Sequence, residues 1–222
     1  MKKKERRNKN LEKKGKAKLK KRAKTKDGLP SIRTRTSPNK LYEAVRVMKQ
    51  WQGEMVKEMR FGKLLRFNVS DVTANLGHSV IDMLDTENMR IKIGDRYISV
   101  DKESVRKILG LPLGETRVGK KKKDESGHRL KEKWVGRFDK VPISFKNILD
   151  KIRLDPYEDK SMFKIDFVML FISTMIVSTK NGSVMYSMLD WLSPEEEFKY
   201  HDWCQLIITY YGSCEVMQLT TQ

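Results

Sequence analysis

Cysteine is scarce in this chain, because its 222 residues include only Cys204 and Cys214. Two cysteines do not make a disulfide framework, and their scarcity is typical of a reducing compartment. Long apolar runs are scarce as well. The best candidate, residues 167–177, is interrupted by Ser173 and Thr174 and is far shorter than the roughly 20 apolar residues that a membrane-spanning helix needs. We therefore predict a buried core helix here and no membrane partner.

Histidine is equally sparse, with three residues in the whole chain. His201 and Cys204 are spaced to share a metal ion with Cys214, but structural zinc takes four ligands and no fourth lies nearby in the sequence. The same pair could be a base and a thiol nucleophile, but both would lie on one helix, and the sequence does not place an orienting carboxylate for them. We predict that both are packing residues, and that the protein has no catalytic residue, no bound metal and no cofactor.

One stretch comes close to a nucleotide-binding motif. Residues 114–121 nearly match the phosphate-binding loop G-x-x-x-x-G-K-[ST], whose hydroxyl holds magnesium. Lys121 replaces that hydroxyl, and the stretch follows Leu111-Pro112 instead of a β-strand. A basic surface loop is the favoured interpretation, so we do not expect an enzyme.

Positive charge is what the chain has in excess, and it lies at the amino end. The first forty residues hold 18 Lys and Arg against three acids, which is +15 of the formal net charge of +18. Such a segment buries too little apolar surface to fold, so we predict a disordered basic arm at residues 1–35. Its two clusters, residues 2–7 and 20–26, are typical of nuclear import signals and of nucleic-acid-binding arms, with a merely solubilising tail as the alternative.

This basic arm predicts a nuclear protein whose partners are an import receptor and DNA or RNA. The candidate residues for those contacts are Lys2, Lys3, Lys4, Arg6, Arg7, Lys20, Lys21, Arg22, Lys24 and Lys26. A candidate secondary basic patch is formed by Lys120, Lys121, Lys122 and Lys123.

The lysine patch lies within residues 113–142, a polar segment that we expect to be a flexible basic loop. This segment has ten Lys and Arg and five acids, and the rest of the folded body carries about −2. Any nucleic-acid binding is therefore expected to come from the arm and the loop, and to be largely independent of base sequence. Trp134 lies in the loop and could contact a partner, whereas most of the other tryptophans and tyrosines lie in apolar helical patterns that favour core packing.

Helical spacing of apolar residues dominates residues 36–215, which we predict to form one mainly helical domain, followed by a tail at 216–222. The first pattern is one amphipathic helix or two helices joined at Gly53. After Ser193-Pro194, a last helix is expected to carry Phe198, His201, Cys204, Ile208 and Tyr211 on one face. The predicted helices cover residues 41–59, 71–85, 102–109, 145–152, 158–177 and 182–192, and the segment after Ser193.

One β-hairpin is also predicted, at about residues 89–100. Residues 89–93 and 96–100 alternate apolar and polar side chains around Gly94-Asp95, which suits a two-residue turn. Asp101 can then cap the next helix, and Gly110 can end it. The fold class expected is mainly α with one short hairpin, which must pack on the helices because isolated hairpins are marginally stable.

The order of several short motifs resembles the plant mobile domain, also labelled aminotransferase-like. It is similar as well to the amino-terminal region of plant transposon-encoded proteins that carry a Ulp1-type cysteine protease domain. The resemblance covers roughly residues 33–215, and Arg60 stands where that family usually has a glycine. The motifs are R-T-S-P from Arg35, F-G-K-L-L from Phe61, I-K-I-G from Ile91, V-D at Val100, I-L-G-L-P from Ile108 and W-C at Trp203.

The resemblance implies a non-catalytic, mainly helical module of transposon-related lineage that is associated with the nucleus. The aminotransferase label implies no activity here, since no lysine lies in a recognisable pyridoxal phosphate context. A second hypothesis is that the chain is a truncated accessory region of a Ulp1-type cysteine protease, which acts on SUMO or ubiquitin-like proteins. A third, an RNA-binding protein of ribosomal type, would need a folded body that is itself basic.

Overall fold

The computed structural model describes residues 38–85, 87–118, 125–154, 159–177, 183–192 and 195–212. The predicted basic arm, the lysines at 120–123 and the predicted tail at 216–222 lie outside these residues. The described chain is mainly helical and contains one small antiparallel sheet. The predicted fold class is therefore confirmed.

The elements follow one another along the chain as short helices interrupted once by the sheet. Of the described helices, none is both long and apolar enough to cross a membrane. The α-helices and strands are α1 (Asn39–Val47), α2 (Gln50–Glu58), α3 (Ala74–Met83), β1 (Leu84–Asp85), β2 (Arg90–Ile93), β3 (Arg96–Ser99), α4 (Lys102–Leu109), α5 (Glu125–Val135), α6 (Phe145–Arg153), α7 (Lys160–Met175) and α8 (Trp203–Gly212), with 3₁₀ helices at Gly62–Arg66, Tyr186–Trp191 and Glu195–Tyr200.

Helix α7 forms the centre of the core, because nearly its whole surface is apolar. Residues 165–174 are all buried, and helices α1, α2 and α6 pack against it. The carboxylate of Asp159 caps its first turn by accepting hydrogen bonds from the backbone N–H groups of Ser161 (3.0 Å) and Met162 (3.4 Å). Each fully buried large apolar side chain stabilises the fold by about 1.5–3 kcal/mol relative to exposure. The predicted core helix is confirmed.

The first predicted helix is divided in two at Met48 and Lys49, and not at Gly53, which lies inside α2. A buried glutamine explains the position of the break. Gln52 accepts a hydrogen bond from the Lys49 backbone N–H at 2.8 Å and donates one to the Ile152 carbonyl at 2.9 Å. The side chain thus fixes the start of α2 against the end of α6, so the expected joint at Gly53 is wrong.

Helix α5 occupies part of the segment that was expected to be an irregular basic loop. Trp134 lies in its last turn and is fully buried, where its Nε1 donates a hydrogen bond to Asp166 of α7 at 2.7 Å. A buried carboxylate on the core helix needs donors, and α5 supplies this one. The expectation of a loop is wrong for residues 125–135, and so is the alternative of a partner contact by Trp134.

The last predicted helix is interrupted between Tyr200 and Trp203. The interruption pairs with an extended segment after α4: Gly114 N–H donates to the His201 carbonyl at 3.2 Å, and Asp202 N–H donates to the Thr116 carbonyl at 2.8 Å. The backbone of His201 and Asp202 therefore cannot continue a helix. A second predicted helix, residues 182–192, is a 3₁₀ helix at 186–191 in its described part.

The sheet has the strand order β1-β2-β3, and its hairpin agrees with the prediction. Ile91 pairs with Ile98, and Gly94 adopts a φ of +58° in the turn. Asp101 caps α4 by accepting a hydrogen bond from Ser104 N–H at 2.8 Å, and Gly110 ends that helix at a φ of +65°. The hairpin packs against α3 outside the main core, so β3 is exposed throughout, whereas β2 is partly buried at Arg90 and Ile91.

Candidate nucleic-acid interface

The two side chains that were considered as metal ligands or catalytic groups are buried. His201 is 1% exposed, and Cys204 is fully buried with its Sγ 3.8 Å from the Leu111 carbonyl. Burial raises the pKa of the Cys204 thiol to about 11, so it is protonated at neutral pH. No group of three His, Cys, Asp or Glu in the described part of the chain is arranged to hold a metal ion.

A different group of residues forms a charged surface on the folded domain. We call it the basic surface. It follows the end of α2 and the first 3₁₀ helix, and it is completed by the last turn of α4. All of its members are exposed cations: Lys57, Arg60, Lys63, Arg66 and Lys107.

Direct contacts bring the two segments of the basic surface together. The Nζ of Lys63 donates a hydrogen bond to the backbone carbonyl of Lys107. A Cβ placed on Gly110 would overlap the Lys63 side chain, so the end of α4 lies against the 3₁₀ helix. A Cβ on Gly62 would lie 3.2 Å from Cγ of Lys57. Lys57, Lys63 and Lys107 therefore belong to one continuous surface.

The first 3₁₀ helix places two of these cations on the same side of the domain. Residues three apart lie above one another in a 3₁₀ helix, so Lys63 and Arg66 project on the same side. Leu64 on the opposite side is buried, and so is Phe61, whose ring meets the ring of Phe171 edge-on at 5.6 Å between centroids. The cations are thus carried by a segment that is anchored in the core.

Arg60 has an unusual backbone conformation. Its φ is +65°, in the left-handed region that favours glycine, and its N–H donates to the Lys57 carbonyl at 2.9 Å. A residue with a Cβ pays about 1–2 kcal/mol in this region. A strained arginine at the end of a helix is the kind of outlier that points to a role for its side chain.

The basic surface meets few acids within the described residues, although the Asp101 carboxylate is close enough for Lys107 to help lower its pKa. None of the five cations forms an ion pair there, and the neighbouring Glu58 carboxylate is engaged by Lys164 at 3.3 Å. Exposed cations that lie together and are not held in ion pairs create a positive potential that attracts anions. Arginine also offers two parallel donors to a phosphate group.

The sequence contained a signal for this surface that the charge count concealed. A cation recurs at every third position, at Lys57, Arg60, Lys63 and Arg66, with Glu58 as the one acid between them. The net charge of about −2 for the folded body is a sum in which acids elsewhere in the domain cancel these cations. The spacing, together with the F-G-K-L-L turn, would have identified the surface.

The fold and this surface define a mainly helical, basic-faced domain with a small antiparallel sheet. The family model described as a domain of unknown function (DUF8566) matches residues 34–211, and the chain belongs to this family. No curated protein and no solved structure matches the chain. The family match does not test the resemblance to the plant mobile domain, which stays a prediction.

Proposed function

We propose that this protein is a non-catalytic, nucleic-acid-associated module of the nucleus, and that its basic surface contacts phosphate groups. The observation that supports this proposal best is the convergence of five exposed cations that form no ion pair among the described residues. The basic arm at residues 1–35 adds further phosphate contacts in the proposal, because it carries most of the net charge of the chain.

Binding of this kind follows the backbone of a nucleic acid and does not read its bases. Phosphate contacts position a protein, whereas base contacts in a groove specify sequence. The basic surface consists of Lys and Arg on a short 3₁₀ helix and two helix ends, and it presents no long helix that would enter a major groove. We therefore expect affinity for duplexes of any sequence.

The experiment is a fluorescence anisotropy titration of the full chain against two labelled DNA duplexes of equal length and unrelated sequence. We expect similar affinities for both duplexes and a steep loss of affinity with salt. Each phosphate contact lowers log K by about 0.9 per log unit of salt concentration. A strong preference for one duplex, or binding that does not respond to salt, contradicts the proposal.

Nuclear accumulation is the second part of the proposal and rests on the two basic clusters of the arm. At 26.1 kDa the chain is small enough to diffuse passively into the nucleus, so the test uses a large fluorescent fusion partner. We expect the fusion to accumulate in nuclei, and to lose this accumulation when residues 2–7 and 20–26 are replaced by Ala and Ser. Equal nuclear signal from both fusions contradicts an import role for the arm.

A further inference from the structure

Ile108 is the most exposed large apolar side chain among the described residues, at 70%. It lies in the last turn of α4, directly after Lys107 of the basic surface. The other exposed large apolar side chains of the described chain lie outside residues 57–66 and outside α4, the two segments that carry the basic surface. An exposed apolar side chain therefore accompanies these cations at one described position, Ile108.

Ile108 also begins the I-L-G-L-P motif, whose other members have structural roles. Leu111 and Pro112 are buried, Leu109 is partly buried against the core, and Gly110 ends α4 in the left-handed conformation. Ile108 extends into solvent instead. Packing of the core therefore does not explain an apolar residue at this position.

The fold holds Ile108 in a fixed position. Val105 on the same helix is 9% exposed and Leu111 after it is 1% exposed, so the chain is anchored in the core on both sides of Ile108. A β-branched side chain is also restricted at χ1. Ile108 is thus a rigid apolar projection that needs little ordering before it makes a contact.

The carboxyl end of α4 can lie against an anion. Free carbonyl groups at the end of a helix carry partial negative charge, which disfavours a neighbouring phosphate. Here the Nζ of Lys63 donates to the Lys107 carbonyl, and Gly110 N–H donates to the Arg106 carbonyl at 2.8 Å. Two of these carbonyls are therefore satisfied, one of them by a cation.

The charged side chains of α4 are also divided between its two ends. Arg106 and Lys107 directly precede Ile108 in the last turn. The acids Asp101 and Glu103 lie at the first turn, about 7–11 Å away from Ile108 along the helix axis. The surroundings of Ile108 on its own helix are therefore basic.

We propose that Ile108 is an apolar wedge that enters the minor groove of a DNA duplex and partly separates two stacked base pairs, while the neighbouring cations hold phosphates. This inference rests on the proposed function, because the basic surface must first bring α4 onto the DNA. Minor-groove proteins insert isoleucine and similar side chains between base steps and bend the duplex. The preferred ligand is therefore a duplex in which the stacking of one step is already weakened.

The test is an anisotropy titration of the full chain against two DNA duplexes that differ only in a central mismatch of two base pairs. We expect the mismatched duplex to bind at least about fivefold more tightly, because part of the unstacking has already occurred. Equal affinities overturn the inference and leave phosphate binding by the basic surface in place. Absence of binding to both duplexes contradicts the proposed function as well.

Substitutions locate the wedge. Ile108→Ala should reduce the preference for the mismatched duplex to less than about twofold, whereas Ile108→Leu, which keeps a side chain of similar size, should retain it. Ile98→Ala is the matched control and should also retain it, because Ile98 is 47% exposed but lies in the hairpin, outside the basic surface. An unchanged thermal unfolding midpoint shows that Ile108→Ala keeps its fold. A preference that survives in Ile108→Ala, or that Ile98→Ala loses equally, overturns the inference.

A probe of base stacking distinguishes insertion from contact at the surface. The fluorescence of 2-aminopurine is quenched while the base is stacked, so the probe is placed beside the mismatch. Saturating unchanged protein should raise the fluorescence at least about twofold, and Ile108→Ala should not, because cations that contact only phosphates leave the stacking intact. Absence of a rise with the unchanged protein overturns the inference.

Discussion

The carboxylate of Asp166 accepts a hydrogen bond from Nε1 of Trp134 at 2.7 Å inside the core. The guanidinium of Arg137 donates two more hydrogen bonds to the same carboxylate, at 3.0 and 2.9 Å. Asp166 is fully buried, so its charge depends on these donors. The hydrogen bond from Trp134 to Asp166 thus joins helix α5 to helix α7, although these two residues are 32 positions apart in the sequence.

Replacement of Asp166 by alanine should destabilise the protein severely. It leaves the Arg137 guanidinium and the Trp134 N–H without their acceptor, and removing one partner of a buried pair costs about 3–5 kcal/mol. Asp150→Ala is the matched control, because Asp150 forms an exposed pair with Arg153 at 3.5 Å and should cost about 0–1 kcal/mol. Urea denaturation of both variants measures the difference. Similar midpoints would contradict the structural role of Asp166.

Gly114→Ala should also destabilise the fold, by about 1–3 kcal/mol. A Cβ at this position would overlap the carbonyl of Tyr200, where the extended segment after α4 meets the last two helices. Gly53→Ala is the control with the opposite sign. Its Cβ would lie 3.8 Å from Leu65, an ordinary contact, and alanine should stabilise helix α2 by about 0.5–1 kcal/mol. Thermal unfolding of both variants separates the two effects. A Gly114→Ala variant that is more stable than the unchanged protein would contradict the close approach of Gly114 to the Tyr200 carbonyl.

Arg60→Gly should raise stability and lower affinity for DNA in the same molecule. Glycine relieves the left-handed conformation, with a gain of about 0.5–1 kcal/mol, and removes one phosphate contact. Met89→Gly is the matched control, because Met89 has a φ of +48° but lies in the hairpin and outside the basic surface. It should leave affinity unchanged. Denaturation and anisotropy titration measure both properties, and unchanged DNA affinity of Arg60→Gly would exclude Arg60 from the interface.

Cys204 should not react with thiol reagents in the native protein at pH 8. Its pKa is raised to about 11 by burial, so its folded-state pKa lies above the unfolded value. The stability that it contributes is therefore present below the unfolded pKa and is lost as pH rises towards 11. Ellman's reagent on a Cys214→Ser background measures the reaction, with urea-unfolded protein as the positive control. Rapid labelling of the native protein would contradict the burial of Cys204.

The features that could be predicted from the sequence depend on local chemistry. The turn at Gly94-Asp95 and the cap at Asp101 are fixed by neighbouring residues, and the core helix α7 follows from an apolar surface all around it. The position of helix α5 depends instead on a residue that is distant in the sequence, because Trp134 is buried where it donates a hydrogen bond to Asp166. The break before α2 likewise depends on a contact between Gln52 and Ile152, 100 positions apart.

The basic surface was missed for a related reason. A net charge is a sum over a whole segment. A binding surface depends instead on which cations the fold brings close together and on which nearby acids pair with other residues. The pairing of Glu58 with Lys164 and the contact of Lys63 with Lys107 become known only from the structure. The predicted sites in the arm and at residues 120–123 lie outside the described residues and stay predictions.

The most direct test of the central proposal is the salt dependence of DNA binding by the full chain after the basic surface is neutralised. The five cations Lys57, Arg60, Lys63, Arg66 and Lys107 are replaced by glutamine. The control replaces five exposed cations elsewhere, namely Lys133, Lys140, Lys146, Arg153 and Lys160.

Because each phosphate contact contributes about 0.9 to the slope of log K against log salt, the surface variant should lose between about two and four units of slope. The control variant should keep nearly the slope of the unchanged protein. Equal slopes in the surface and control variants would contradict the proposal and leave the folded domain without a part in nucleic-acid binding.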